Sequence, residues 1–266
     1  MDPLVLAVSG ASGQPLAQRA LQLLLEAGER VELVTSRGAI TVWQAELGIR
    51  VPSEPRAQEL FWRERTGCQS GELRCHRWND QAAAIASGSF RTRGMVILPA
   101  SMGSVGRIAA GVATDLLERA ADVHLKEGRP LVIAPRELPW SLIHLRNLTT
   151  LAEAGARIAP PVPAWYHQPT TIEQMVDFLV IRVFDCLGYD LGALQRWQGP
   201  VDGPLSSQVP SSQVPASQVP LTGGPPPSCP PPCCCVACCC FPCWRPFWRC
   251  CWWGRSIPGP GWACGS

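Results

Sequence analysis

The sequence predicts an α/β fold in which a mostly parallel sheet lies between two helical layers, and three observations carry that prediction. Short apolar runs of strand length recur along the first 198 residues and alternate with segments of helical apolar spacing. Four of those runs end in loops rich in Gly, Ser and Arg: SGASGQ (residues 9–14), TSR (35–37), PASMGS (99–104) and PRE (135–137). After Gln198 the ordinary mixture of charged and apolar residues stops, and Asp202 is the last acidic residue of the chain. Strands alternating with helices imply right-handed βαβ units. The fold class is therefore a Rossmann-like or flavodoxin-like three-layer sandwich followed by a tail of different character. In such sheets ligands bind beyond the carboxyl ends of the strands, where all four loops fall.

The elements follow in order. Val5–Ser9 reads as a buried parallel strand, a short apolar run with turn residues after it. Pro15 suits a first helical turn; Leu16, Ala20, Leu23, Leu24 and Ala27 recur at helical spacing, and Gly28 ends the helix. Val31–Thr35 is a second strand, with helices expected at Ile40–Leu47 and Ala57–Arg65 and a short strand at Leu73–His76. Residues 77–93 look loop-rich. Met95–Pro99 is a strand, Gly103–Ala110 and Thr114–Lys126 are helical, and Leu131–Pro135 is a strand. Helix Ser141–Ala154, strand Ile158–Ala159 and a last helix from Thr171 to Cys186 complete the pattern.

Composition divides the chain into residues 1–198, a domain long enough to bury a sizeable core, a Pro/Ser/Gln-rich linker at 199–228, and a Cys/Trp/Pro-rich tail at 229–266. The linker carries the repeat SSQVP-SSQVP-ASQVP, too poor in apolar area to fold, so linker and tail are expected to be disordered. Eleven of the 14 cysteines sit in the tail without a finger-like pair of CxxC motifs, and its prolines and arginines break it as a membrane span. Cys68, Cys75 and Cys186 are irregularly spaced, which fits a reduced compartment. A net charge of +2 gives no basic field for nucleic acid. No charged and apolar leader precedes Leu4, so the cytoplasm is the expected location.

The residues bear on chemistry in three places. SGASGQ is neither GxGxxG nor a P-loop, so it is either an anion site at a helix N-terminus, with Ser12 adding a hydroxyl, or a tight strand-to-helix turn. The second strand ends Thr35-Ser36-Arg37 where an NAD site wants Asp or Glu, which favours another phosphate, that of a mononucleotide or of NADP. Arg119 and Lys126, the only lysine, are seven residues apart and share a helix face, and Arg182 lies on the last helix. Each has a plain reading too: Arg119 paired with Glu118 or Asp122, Lys126 and Arg182 solvated. Glu137, beside Arg136 at a strand's carboxyl end, is placed for acid–base work.

Together SGASG, ASGS, VILPxSM, LLERAADVHLKEGRPLVIAPRELP, PPVPAWYHQP and Arg196-Trp197 resemble the flavin prenyltransferases, the UbiX family, over about residues 3–198. The resemblance implies a metal-independent enzyme that transfers a dimethylallyl group from dimethylallyl monophosphate to N5 and C6 of reduced FMN. The product, prenylated FMN, would serve a UbiD-type decarboxylase, often in quinone synthesis. It further implies that Gly10, Ala11, Ser12, Ser36, Ser101, Met102, Gly103, Ser104 and Arg136 contact FMN. Lys126, Tyr166 and Arg182 would hold the allylic phosphate, with Arg119 reaching it across a subunit interface of a homododecamer. Ser12 and Glu137 would assist proton movement, and Trp197 would face the allyl cation.

Two departures from the family pattern bear on the prenyl pocket: Gln81 follows Asn79-Asp80 where relatives carry Trp, and Ala100 stands where Cys is frequent before the serine. Two rival readings are less well matched. A cysteine-decarboxylating flavoprotein of similar fold wants an early catalytic His and a PxMNxxMW-like loop, whereas the first His is His76 and the loop reads PASMGSVGRIA. An NADP-dependent reductase reading Arg37 leaves Glu137, Tyr166 and Arg182 unexplained.

Overall fold

A computed structural model describes residues 2–192. Trp197, the linker and the Cys/Trp-rich tail lie outside the described residues. Six strands, β1 (Leu4–Val8), β2 (Arg30–Thr35), β3 (Glu72–His76), β4 (Gly94–Ala100), β5 (Leu131–Pro135) and β6 (Arg157–Ile158), form one sheet in the order β3-β2-β1-β4-β5-β6. Every pairing is parallel. This is the doubly wound order whose switch point lies between β1 and β4. The helices are α1 (Gln14–Glu26), α2 (Arg37–Leu47), α3 (Pro55–Thr66), α4 (Met102–Ala109), α5 (Leu116–Lys126), α6 (Leu142–Glu153) and α7 (Ile172–Asp185). Among the described residues no helix is long and apolar enough to cross a membrane.

The central strands are apolar throughout because both faces are covered. Leu4, Leu6, Val8, Leu33 and Val96 point to the side of α1, α3 and α7, where Trp43, Trp62 and Phe184 fill the core. Val5, Ala7, Val34, Ile97 and Ile133 point to the side of α4, α5 and α6. The alternation is the two-residue period of a strand.

Element ends differ from the sequence expectation by one to three residues, and side-chain caps account for the shifts. The Ser36 hydroxyl accepts the Ala39 N–H, so α2 begins at Arg37 and not at Ile40. Asp115 accepts the Glu118 N–H, so α5 begins at Leu116. Within the loop-rich stretch, Ala84–Ala86 forms a single 3-10 turn. That stretch runs down α5 from the carboxyl to the amino edge of the sheet, held by Leu116 N to Trp78 O (2.7 Å), Arg119 Nε to Ala86 O (3.2 Å) and Arg129 Nη1 to Phe90 O (2.6 Å).

His124 anchors the lower part of this loop. Its ring is fully buried, Nδ1 donates to Ala120 O (2.7 Å), and Nε2 meets the Thr92 hydroxyl (2.8 Å). Burial outweighs the Ala120 hydrogen bond and lowers its pKa from 6.5 to about 4. Above pH 6.5 the imidazole is neutral in both folded and unfolded chains; below it the unfolded chain takes the proton first. Folding stability should therefore fall as pH drops from 6.5 to about 4, by on the order of 3 kcal/mol from this residue. Urea unfolding across that range, compared with His124→Gln, checks it: the variant should lose this share of the pH dependence.

The β1 and β2 ends are pressed together at two glycines. Ser36 N donates to Val8 O (2.9 Å), and a Cβ on Gly10 would lie 2.9 Å from the carbonyl carbon of Gly38 and 3.0 Å from its Cα. Backbone cannot move aside as a side-chain tip can. Gly10→Ala should destabilise the fold by roughly 1–3 kcal/mol in chemical denaturation, whereas Gly28→Ala meets no neighbour within 4 Å and carries only its own φ of +75°.

Candidate active site

The site is built at the carboxyl ends of β1, β2, β4 and β5. Ser9 joins the first two halves of the sheet: its N–H (3.2 Å) and its hydroxyl (2.8 Å) both donate to Pro99 O, and the hydroxyl accepts the Ser101 N–H (2.6 Å). The β4–β5 register breaks between Ile97 and Ala100, and Pro99, with no N–H of its own, turns its carbonyl to Ser9. Arg136 N then donates to Ala100 O (3.1 Å), which ties the end of β5 to the end of β4. Ser9, Ser101 and Arg136 thus form one continuous backbone ledge.

The SGASGQ turn is packed from beneath by Gln14, whose buried amide donates to Ser9 O (3.0 Å) and Ala11 O (2.7 Å) while its own Oε1 has no partner among the described residues. The first amides of α1 are not open to a ligand. Glu46, near the end of α2, takes the Gly13 N–H (3.1 Å) and the Gln14 N–H (3.0 Å) with its carboxylate. A negative side chain suits this positive helix end, so at these two amides, where the sequence left an anion site or a tight turn open, the chain supplies its own anion. Any ligand of the turn meets Gly10, Ala11 and the half-buried Ser12 instead.

Ser36 is buried at the start of α2. Ser101 caps α4 by accepting the Ser104 N–H (3.3 Å), with Met102 and Gly103 forming the first turn between them. Ser104 receives the Ser101 hydroxyl (3.2 Å) and Nη2 of Arg107 (3.4 Å). Glu137 is exposed beyond β5, and its Oε1 accepts its own Leu138 N–H (3.0 Å).

Tyr166 lies in the loop after β6, also at the carboxyl edge, edge-on to Phe178 at 5.8 Å. Arg182 follows Phe178 by one helical turn and lies in the last turn of α7. Arg182 pairs with Asp185 (2.7 Å), Arg119 with Asp122 (2.7 Å) and Lys126 with Glu127 (2.5 Å). These partly exposed pairs are worth little in stability and yield readily to a better anion.

One chain does not bring Lys126 to the Arg136-Glu137 pair. Helix α5 starts at the carboxyl edge and ends with Lys126, five residues before β5 starts at the amino edge. The five residues of β5 span roughly 16 Å at about 3.3 Å each, so Lys126 and the Arg136-Glu137 pair stand at opposite edges of the sheet. The shared helix face of Arg119 and Lys126 is real, but it runs between those edges. Two residues were missed by sequence reasoning, Glu46 and Arg107; both act through contacts invisible to local pattern.

Comparisons with known proteins show the family. The family model described as Flavoprotein matches residues 2–184. A flavin prenyltransferase UbiX from Synechocystis sp. is 58% identical over 203 residues, covering 76% of this chain and 98% of the relative. One from Pseudomonas aeruginosa is 42% identical over 196 residues, covering 74% and 94%. The crystal structure of AnUbiX in complex with FMN and dimethylallyl pyrophosphate superposes with a TM-score of 0.66 at 38% identity, covering 75% of this chain and 99% of that one. A dodecameric FMN-dependent UbiX-like decarboxylase from Escherichia coli O157:H7 gives 0.65 at 40% identity, covering 74% and 100%. With its strand-end ledge, its hydroxyl-lined turns and this kinship along the whole described domain, the chain belongs to the UbiX family of flavin prenyltransferases.

Proposed function

We propose that this protein transfers a dimethylallyl group from dimethylallyl monophosphate to N5 and C6 of reduced FMN, in the cytoplasm and without a metal, making prenylated FMN for a UbiD-type decarboxylase. The observation that carries the reading is the ledge Ser9–Ser101–Arg136, which sets Glu137 beside the hydroxyl-bearing ends of β1 and β4. The donor set fits FMN. Gly10, packed against Gly38, offers bare backbone, and Ser12, Ser36, Ser104 and Arg136 supply donors to phosphate and flavin carbonyl oxygens.

Reduced FMN supplies the two nucleophilic positions. Lys126, Arg119, Arg182 and the Tyr166 hydroxyl hold the allylic phosphate and match its growing charge as the bond to carbon breaks. Trp197 presents an aromatic face to the allyl cation. Fixing donor and acceptor in contact contributes the proximity term. The first bond replaces the carbon–oxygen bond to phosphate. The second, from C6, adds across the prenyl double bond, so C6 loses a proton while the other alkene carbon gains one. Glu137 with Ser12 assists that proton movement.

Since Lys126 and Glu137 lie at opposite edges of one sheet, Lys126 reaches the reacting atoms from another copy of the chain. Self-association is supported by the exposed apolar side chains Leu138, Leu142, Ile143 and Trp165, which ring the strand-end loops and the start of α6. The E. coli relative is described as dodecameric, and the same assembly is proposed here. Residues 1–198 make up the catalytic unit.

Anaerobic incubation with FMN, dithionite and dimethylallyl monophosphate, followed by mass spectrometry of the released flavin, tests the reading. A gain of one C5H8 unit is expected, and unmodified FMN contradicts it. A parallel arm with the diphosphate asks whether the donor seen in AnUbiX also serves. Glu137→Gln should bind FMN as tightly as the parent yet close the ring roughly a hundredfold more slowly.

A further inference from the structure

The structure assigns a positioning role to Arg107, which rests on the flavin reading above: Arg107 fixes Ser104 as a one-way hydrogen-bond donor to an acceptor oxygen of the flavin. A hydroxyl has one proton to give and two lone pairs to receive. Ser104 Oγ receives the Ser101 hydroxyl at 3.2 Å and Arg107 Nη2 at 3.4 Å, so both lone pairs are engaged. Its own O–H is left to donate, and among the described residues no acceptor takes it. Ser101 cannot relieve it, since that hydroxyl is already committed to Ser104 and accepts the Ser104 N–H at 3.3 Å.

Arg107 is itself held from behind. Its Nε donates to Glu118 Oε1 at 2.6 Å, and the Glu118 side chain is fully buried. The other carboxylate oxygen accepts the N–H and the hydroxyl of Thr114, each at 2.8 Å. Turning Arg107 away would strand a buried carboxylate, so the guanidinium stays where it serves Ser104. The site therefore takes a carbonyl or phosphate oxygen at this point and disfavours an N–H.

A double-mutant cycle on FMN affinity separates this role from a structural one. Arg107→Met should weaken FMN binding by roughly three- to tenfold, and the same change in a Ser104→Ala background should alter Kd by less than about twofold. Because Arg107→Met leaves Glu118 unpaired, Arg107→Met with Glu118→Gln is measured alongside; the amide oxygen of the introduced side chain still accepts from Thr114. Equal losses in both backgrounds, or no loss in either, overturn the inference while leaving the flavin reading intact. A parent protein that binds no FMN overturns both.

Discussion

The Ser9 hydroxyl holds the carboxyl ends of β1 and β4 together, donating to Pro99 O and accepting from Ser101 N. Around that junction the strand-end loops take their places. The SGASGQ turn leaves from Ser9, α4 starts after Ser101, and β5 ends one hydrogen bond away at Ala100. A buried backbone N–H left without its partner costs about 1–3 kcal/mol, and here the penalty would fall on the atoms that set the spacing of the site. The irregular end of β4 is thus what allows two strands to present serines side by side rather than a uniform ladder.

Charge is arranged in opposition to this ledge. The amides at the start of α1 are satisfied internally by Glu46, so the positive helix end helps hold α1 to α2 and is not spent on a ligand. The cations proposed for the allylic phosphate rest on nearby carboxylates of the same chain: Arg119 on Asp122, Lys126 on Glu127, Arg182 on Asp185. Such exposed pairs keep the side chains solvated and extended until an anion with more acceptor oxygens arrives. The exposed Leu138, Leu142 and Ile143 lie close to Glu137 in sequence, so the surface proposed to meet a second copy adjoins the loop proposed to be catalytic.

Much of this was legible in the sequence because it is local. The apolar runs 4–8, 31–35 and 95–99 announce central strands that are buried on both faces, and the small residues after them announce strand-end turns. The Ser36 and Ser101 caps are also short-range, yet apolar spacing alone puts the helix starts at Ile40 and Gly103, inside the capped first turns. What escaped was long-range. Glu46 sits 32 residues from Gln14 and meets it only because α2 packs beside α1. Arg107 carries no signal in the sequence, because what holds it is a buried Glu118 eleven residues on. The seven-residue spacing of Arg119 and Lys126 correctly indicated one helix face, yet periodicity cannot say which sheet edge each end of a helix approaches.

The measurement that bears most directly on a shared active site is complementation between two damaged chains. Lys126→Ala and Glu137→Gln each remove one half of the site, and each alone should fail to make prenylated FMN at an appreciable rate. Coexpressed or reassembled together, they should recover a sizeable fraction of parental activity, since some junctions would draw an intact Lys126 and an intact Glu137 from different chains. Mixed oligomers that form yet stay inactive would mean that both residues must come from the same chain, and the separation of Lys126 from Glu137 across the sheet would then contradict the proposed assembly of the site.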